Sequence, residues 1–305
     1  MIVVPPMPIT AAGLIDCSVP EVDASAGEKL WSPTTHYERG AQVLRLETQM
    51  RYENSIAGVD ATPPEQDSRR WMPLRPSNRW AMFRHLTNDA TEAPATLSFT
   101  LRPGKRFDTL FMRGVQADKV VMQVKSAGAV VAQRERKLNA RATRTWSGYF
   151  FGEFPLIPTV LISDLPPFTG AEIVVTLVRA GGRPVRVEHA ALGMKSWIGD
   201  AEWAPRNDAL NFSVVDRDKY GGIKLQPVRS VPTLSVKVRI PKDNVDTALR
   251  LRRELDAAPA LWAALDDDTT DGYAEAASIF GPYRRFPIDL NNAKDSYSQI
   301  DLESM

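Results

Sequence analysis

Three histidines and one cysteine are the side chains of this sequence best suited to catalysis or to metal binding. His36, His85 and His189 are expected to lie apart, and none has a His-x-x-x-His or His-Glu-x-x-His spacing. The sequence contains neither a Gly-x-Ser-x-Gly elbow nor a phosphate-binding loop. Cys17 follows a proline-rich stretch and has no recognisable catalytic partner. We therefore predict no enzyme, no metal site and no cofactor.

One class of enzyme has no sequence motif of this kind. A glycosidase that uses two carboxylates distant in sequence has no motif to detect, and it is the enzymatic alternative. Two acidic clusters, Asp216–Lys219 and Asp266–Asp268, have too few ligands for a calcium loop, which also needs a Glu further on. We interpret both clusters as charged turns.

A basic run beside aromatic residues is the feature closest to a nucleic-acid or acidic-glycan loop. Five basic side chains precede the aromatic segment 146–151, namely Arg134, Arg136, Lys137, Arg141 and Arg144. The whole chain has 38 basic and 37 acidic side chains, so it has no general attraction to polyanions. We predict a solvated loop that touches a neighbouring subunit, and no nucleic-acid partner.

Composition indicates a globular protein. With 305 residues, 43% hydrophobic and 25% charged, the chain is long enough for two or three units with real cores. A single cysteine allows no intrachain disulfide, which fits assembly in a reducing cytoplasm. We expect no signal peptide, since residues 1–8 lack a charged region, and no membrane insertion, since no apolar run reaches about 18 residues.

Prolines and glycines punctuate the whole chain, with 23 and 18 copies, which favours many short strands. Residues 1–30 carry four prolines and are predicted to form an extended N-terminal arm. The arm can pack on its own chain or on another subunit. The predicted fold class is mainly β, with the arm followed by three domains, at 31–76, 77–198 and 199–305.

Residues 77–198 show the clearest strand pattern. Segments 96–101, 119–125, 171–178 and 185–189 alternate or are rich in β-branched residues, and turn residues separate them. This spacing predicts a jelly roll or β-sandwich. Its order resembles the galactose-binding-like jelly rolls of viral and glycan-binding proteins.

Residues 199–305 predict an α+β assembly domain with one helix. The segment 233–240 alternates strictly, with Leu234, Val236, Val238 and Ile240 on one face. We predict a helix within 243–265, capped by Asp243 and ended by the prolyl segment 257–259, with Trp262 anchoring the return. Strands within 278–290 and a short closing strand complete the domain.

Residues 31–76 form a small aromatic β-module, with strands at 42–46 and 50–54. Its rings occur in the order Trp31, Tyr37, Tyr52 and Trp71, with Gly40, Val43 and Pro63 between them. This order resembles the small carbohydrate-binding modules of bacterial chitinases. The resemblance implies that Trp31 and Trp71 are exposed, roughly coplanar rings that stack on sugars, with Tyr37 and Tyr52 nearer the core. The alternative is that all four rings fill the core of a small domain.

Segments in the expected order resemble bacteriophage tail-tip and minor tail proteins. They are the segment 78–83 (NRWAMF) and, further on, the alternating strand, the helix, Trp262 and the segment 279–283 (IFGPY). Where such proteins often carry an Asp after Met-Phe, this chain has Arg84, so no role of that acid transfers.

The resemblance implies a virion structural protein of a tail tip or baseplate, which is assembled in the host cytoplasm. Such a protein links the tail tube or hub to fibres, forms a homo-oligomer and can contact a host-surface glycan. A stand-alone carbohydrate-binding protein is the alternative function.

Overall fold

The computed structural model describes residues 1–85, 89–139, 145–151, 156–202, 205–217, 219–264, 275–290, 292 and 294–305. Several residues singled out above lie outside this set, namely Arg141, Arg144, Asp218 and the acidic turn 266–268. The protein is mainly β, with 47% strand and 9% helix, as the sequence predicts.

Short strands make up the first half of the chain. In order, its elements are β1 (Ile2–Val4), β2 (Leu14–Cys17), β3 (His36–Tyr37), β4 (Gln42–Arg45), β5 (Met50–Asn54), β6 (Gly58–Val59), β7 (Trp71–Pro76), β8 (Thr91–Pro94), β9 (Thr96–Leu101), β10 (Thr109–Arg113), β11 (Lys119–Ser126), β12 (Ala129–Lys137), α1 (Trp146–Phe151) and β13 (Val160–Ile162).

Longer strands and the main helix follow. They are β14 (Glu172–Val178), β15 (Pro184–Val187), β16 (His189–Gly193), β17 (Ser196–Trp197), β18 (Asp200–Ala201), β19 (Arg206–Leu210), β20 (Val214–Arg217), β21 (Ile223–Gln226), β22 (Val231–Pro241), α2 (Val245–Glu254), β23 (Ala260–Ala263), β24 (Ser278–Gly281), β25 (Tyr283–Arg285) and β26 (Asp295–Glu303).

The chain divides into two compact units. The N-terminal unit comprises residues 7–160 and 164–192, and the C-terminal unit comprises residues 1–6, 161–163 and 193–305. The predicted module 31–76 and most of the predicted sandwich therefore belong to one unit. The C-terminal unit begins close to the predicted boundary at residue 199 but also takes in the start of the chain.

A five-stranded antiparallel sheet dominates the N-terminal unit, in the order β12-β11-β14-β9-β2. The three central strands bury every second side chain, as Leu97, Phe99 and Leu101 do on β9. This alternation places one apolar face of the sheet against a core and leaves the other polar. A second sheet pairs β10 with β16, whose residues are almost all buried, and the fold is sandwich-like.

The C-terminal unit joins two sheets and one helix around a single core. One sheet has the order β17-β1-β23-β24, and the other has the order β18-β22-β26-β25, with β19 also paired to β22. The predicted inward face of β22 is confirmed, since its four apolar residues are buried. Trp262 is fully buried in this core, donates from Nε1 to the Gly281 oxygen at 3.1 Å and meets Phe286 edge to face.

The predicted helix is shorter than expected. Asp243 lies inside a 3-10 turn (Lys242–Asn244) and does not cap α2, whose N-cap Asn244 makes no side-chain capping bond. The chain leaves α2 through Ala257, at φ 55°, and Pro259 then prevents a new helical turn. Trp262 consequently lies on a strand, β23, and the buried Leu251 carries much of the helix contact.

The predicted arm pairs with its own chain. Ile2–Val4 lies between β17 and β23 in the C-terminal unit, and Leu14–Cys17 pairs with β9 in the N-terminal unit. Backbone ladders fix these short strands, and the prolines between them keep the intervening chain extended. Packing in cis is therefore the arrangement adopted by both strands of the arm.

Gly281 is required by close backbone packing, which yields the first prediction. A Cβ at this position would clash with the backbone oxygen of Glu303. We expect Gly281→Ala to destabilise the protein by about 1–3 kcal/mol, because the ladder around β24 must move. Urea denaturation measures the change. The control is Gly170→Ala, where a Cβ meets no atom within 4 Å, and an equal loss in both variants would contradict the assignment.

Candidate functional site

The aromatic module is built on a three-stranded sheet of order β4-β5-β7, with β3 paired to β6 beside it. Its core contains Tyr37, Val43, Tyr52 and Trp71, and Trp31 packs against this core from a half-buried position. The structure thus brings the four predicted ring residues together. It places them in a core rather than on an open platform.

Trp71 does not have the exposure that sugar stacking requires. Its side chain is 1% exposed, and its Nε1 donates to Asp60 Oδ2 at 3.1 Å. Tyr37 meets it edge to face, with ring centroids 5.4 Å apart and an interplanar angle of 77°. The prediction of an exposed Trp71 coplanar with a second tryptophan is therefore wrong, because a small domain has few other large groups to bury.

Trp31 has one ring face covered by a cation. The Arg45 guanidinium lies 4.8 Å from its ring centroid and makes a bidentate pair with Glu65 at 3.1 and 3.0 Å. The hydrogen bonds from Arg45 lower the pKa of the Glu65 carboxyl, so this pair is held in its charged form. The covered ring supports the core interpretation for this residue as well.

Two histidines that were expected to lie apart are neighbours. The rings of His85 and His189 have centroids 5.7 Å apart in the N-terminal unit. Burial, with a smaller contribution from His189, lowers the pKa of His85 to about 4. The two histidines are far apart in the sequence and meet only because β16 lies beside residue 85 in the fold. A sequence motif could not have predicted this pair.

The residues considered as metal ligands, and the single thiol, have no arrangement suited to metal binding or catalysis in the described part of the chain. Among the residues that the structure describes, no three His, Cys, Asp or Glu side chains are grouped as a metal site would require. Asp216 lies on β20, opposite Lys224 on β21. Cys17 is buried on β2, and this burial raises the pKa of its thiol, which lowers its reactivity.

The basic run begins on a strand rather than in a loop. Arg134, Arg136 and Lys137 belong to β12, at the edge of the five-stranded sheet, and pair in register with β11. Trp146 and Phe150 are exposed on the short helix α1 and stack on each other at 6.2 Å. The predicted loop is therefore wrong for residues 134–137, since they pair with β11 as an edge strand of the sheet.

The most unusual surface is an exposed antiparallel ribbon formed by β20 and β21, which sequence patterns did not single out. All eight of its strand residues are exposed. Cross-strand pairs place Val215 opposite Leu225 and Arg217 opposite Ile223, and side chains two residues apart share a face. This face of the ribbon carries Arg217 and three apolar side chains, Leu225, Val215 and Ile223, which are 67%, 62% and 61% exposed. We call it the apolar face.

The other face of the ribbon is polar. It carries the pair Asp216 and Lys224 beside Val214 and Gln226. The ribbon is thus amphipathic, although it packs neither face into the core of the C-terminal unit, where all residues of the adjacent strand β19 are also exposed.

Comparisons with protein-family profiles, with curated proteins and with solved structures find no match to this chain. Within the described residues, no helix has the length and apolarity needed to cross a bilayer. The ribbon and the ring-filled module are consequently interpreted from their own geometry.

Trp71→Ala tests whether the ring is structural. We expect a loss of about 3–5 kcal/mol in the free energy of unfolding, because a fully buried ring leaves a cavity. Thermal or urea denaturation measures it, and Met72→Ala, which removes an exposed neighbour, is the control. A stable Trp71→Ala protein that had lost only glycan binding would contradict the core assignment.

His85 gives the protein a pH-dependent stability. Its pKa is lowered in the folded state, so the unfolded chain takes up a proton near pH 6.5 that the folded chain accepts only near pH 4. Stability is therefore full above about pH 6.5 and falls as the pH drops toward 4. We expect a loss of about 1–2 kcal/mol between pH 7.5 and pH 5. His85→Gln should flatten this part of the profile in urea denaturation, and an unchanged slope would exclude His85 as its source.

Proposed function

We propose that this protein is a virion structural protein of a bacteriophage tail tip or baseplate, which assembles into a homo-oligomer and links the tail tube or hub to fibres. The amphipathic ribbon of β20 and β21 is the observation that carries this proposal. Its apolar face is exposed in the single chain, although its strands carry residues typical of a covered sheet.

A two-stranded ribbon is marginally stable in water unless a third layer covers its apolar face. Large exposed apolar patches of this kind mark protein interaction sites. Leu210, Phe212 and Val228, which flank the ribbon in sequence, are exposed too. Covering this surface is the free-energy gain that drives assembly.

The occupant we assign to this face is the ribbon of a second copy. Two identical apolar faces are self-complementary about a two-fold axis, so Val215, Ile223 and Leu225 of each copy meet the same residues of the other. Sheet-on-sheet packing at about 10 Å accommodates such side chains. The polar face opposes Asp216 to Lys224, and the balanced charge of the whole chain adds little repulsion between copies.

The tail-tip assignment has separate support. The segments 78–83 and 279–283 resemble tail-tip proteins, and the fold that contains them is mainly β and sandwich-like. In this role the protein is located in the virion after assembly in the host cytoplasm. Its partners are other tail proteins, with a host-surface glycan as a further contact.

The ribbon is tested by making its apolar face charged. We expect the double variant Val215→Asp, Leu225→Asp to raise the dissociation constant of the oligomer by about 100-fold or more, because the interface would bury unpaired carboxylates. Analytical ultracentrifugation across a concentration series measures the change. The matched control is Asp216→Asn, Lys224→Gln, which alters the opposite face of the same strands and should leave assembly intact.

The two parts of the proposal fail separately. A wild-type chain that stays monomeric at about 100 µM would exclude assembly through the ribbon. Mass spectrometry and antibody labelling of purified particles test the location, and absence of the chain from particles would refute the tail-tip role even if the chain oligomerised.

A further inference from the structure

A cleft of about 510 Å³ opens beside the aromatic module, and all of its lining residues belong to the N-terminal unit. Its volume lies within the range of about 300–1,000 Å³ found for small-molecule sites. Its lining combines three arginines and three acids with two neutral polar residues and several alanines and prolines. The charged and polar residues are Arg51, Arg75, Arg186, Asp23, Asp89, Glu92, Ser25 and Asn78. None of the four module rings contributes to its lining, so a ligand in the cleft does not stack on them.

Arg51 is a buried cation without a direct counter-ion. Its side chain is 6% exposed, and its guanidinium donates to two neutral acceptors, the Ala26 oxygen at 3.3 Å and Gln42 Oε1 at 2.8 Å. In the described part of the chain it makes no ion pair within 4.0 Å. A buried charge held in this way is costly, which makes it a candidate for binding rather than for stability.

A second arginine lies directly opposite the first. Arg51 on β5 and Arg75 on β7 are register partners, and both line the cleft. Like charges directly opposite each other on one sheet face destabilise the pair. Burial and then the charge of Arg75 lower the pKa of Arg51, and the smaller effects of Glu28 and Asp89 act in the opposite direction.

Three of the nearby carboxylates are engaged with other donors. Asp23 accepts from the Ser25 backbone at 2.9 Å and from Asn78 Nδ2 at 2.7 Å. Glu28 accepts from the backbone nitrogens of Asp23 and Asn78 at 2.8 and 2.7 Å. Glu92 lies 3.7 Å from Arg186. Asp89 also lines the cleft, and its charge attracts Arg51. Neither Arg51 nor Arg75 forms an ion pair within 4.0 Å in the described part of the chain, so an anionic ligand can relieve the repulsion between them.

We infer that the cleft binds an oxyanion, a carboxylate or a phosphate group carried by a small ligand, between Arg51 and Arg75. The planar guanidinium fork matches both groups and makes bidentate, charge-assisted bonds to them. An anion there removes the like-charge repulsion and provides the charge partner that Arg51 lacks. Anion binding by the cleft does not depend on the assembly role proposed above.

Isothermal titration calorimetry on the full chain tests this site. The ligands are inorganic phosphate, glucuronate and glucose 6-phosphate at constant ionic strength, with uncharged glucose as the ligand control. We expect saturable binding of at least one anion and none of glucose. A preference for glucuronate assigns the site to carboxylates, and a preference for the two phosphates assigns it to phosphate groups.

Arg75→Gln should weaken that binding by about tenfold or more, because it removes one charged donor from an exposed position without disturbing the core. The matched control is Arg69→Gln, which removes an equal charge from an exposed arginine of the same module outside the cleft. Binding should persist in that variant. Without anion, Arg75→Gln should melt at the wild-type temperature or about 1 °C above it, since the repulsion is gone.

Three outcomes would overturn the site. They are no saturable binding of any of the three anions, binding of glucose as strong as that of the anions, and equal binding losses in Arg75→Gln and Arg69→Gln. A lower melting temperature for Arg75→Gln in anion-free buffer would also overturn it, because Arg75 would then stabilise the fold on its own.

Discussion

The largest sheet of each unit has an apolar face that must be kept from water, and the fold depends on how these faces are covered. In the N-terminal unit the alternating residues of β9, β11 and β14 provide one continuous apolar surface. In the C-terminal unit β22 and β26 do the same, and α2 adds Ala248 and Leu251 to the cover. Because the chain has a single cysteine and so no intrachain disulfide, this burial carries the stability that cross-links provide in smaller secreted domains.

Two places depart from this arrangement, and both departures cost free energy in the isolated chain. The ribbon of β20 and β21 leaves an apolar face in water, and the module places Arg51 opposite Arg75 with one of them buried. Natural sequences tend to break such local rules where a surface has a function. The two sites differ in chemistry, since one gains by excluding water from aliphatic groups and the other by acquiring a negative charge. They therefore respond oppositely to salt, which strengthens apolar burial and screens charge pairs.

Hydrophobic periodicity and turn residues predicted much of the fold. They could not predict where the aromatic rings lie or which residues distant in sequence become neighbours. The strict alternation of 233–240 predicted β22 and its buried face, because a period of two follows directly from strand geometry. The helix was predicted to continue to the prolyl segment 257–259, but α2 ends at Glu254, because a proline shows where a helix cannot continue and not where it stops. The resemblance implied an exposed Trp71, and a core position was the alternative; the motif could not decide between them, because it gives the order of rings but not the face on which each lies. The His85–His189 pair and the two facing arginines arise from strand topology and register, which a single sequence does not state.

The buried rings and the arginine pair of the aromatic module are parts of one arrangement. Tyr52 follows Arg51 on β5, and successive side chains of a strand point to opposite faces, so the ring that enters the core directs the guanidinium away from it. Trp71 begins β7, and its bond to Asp60 and its contact with Tyr37 fix the strand that carries Arg75. Burial alone would raise the pKa of Asp60, but hydrogen bonds from Thr62 and Trp71 and the charge of Arg70 lower it. The carboxylate that holds Trp71 therefore stays ionised. A ring core of this kind makes the strand pair rigid, and rigidity is what holds two like charges in register. In the anion site that we propose, the role of the aromatic residues is to position the arginines rather than to contact the ligand themselves.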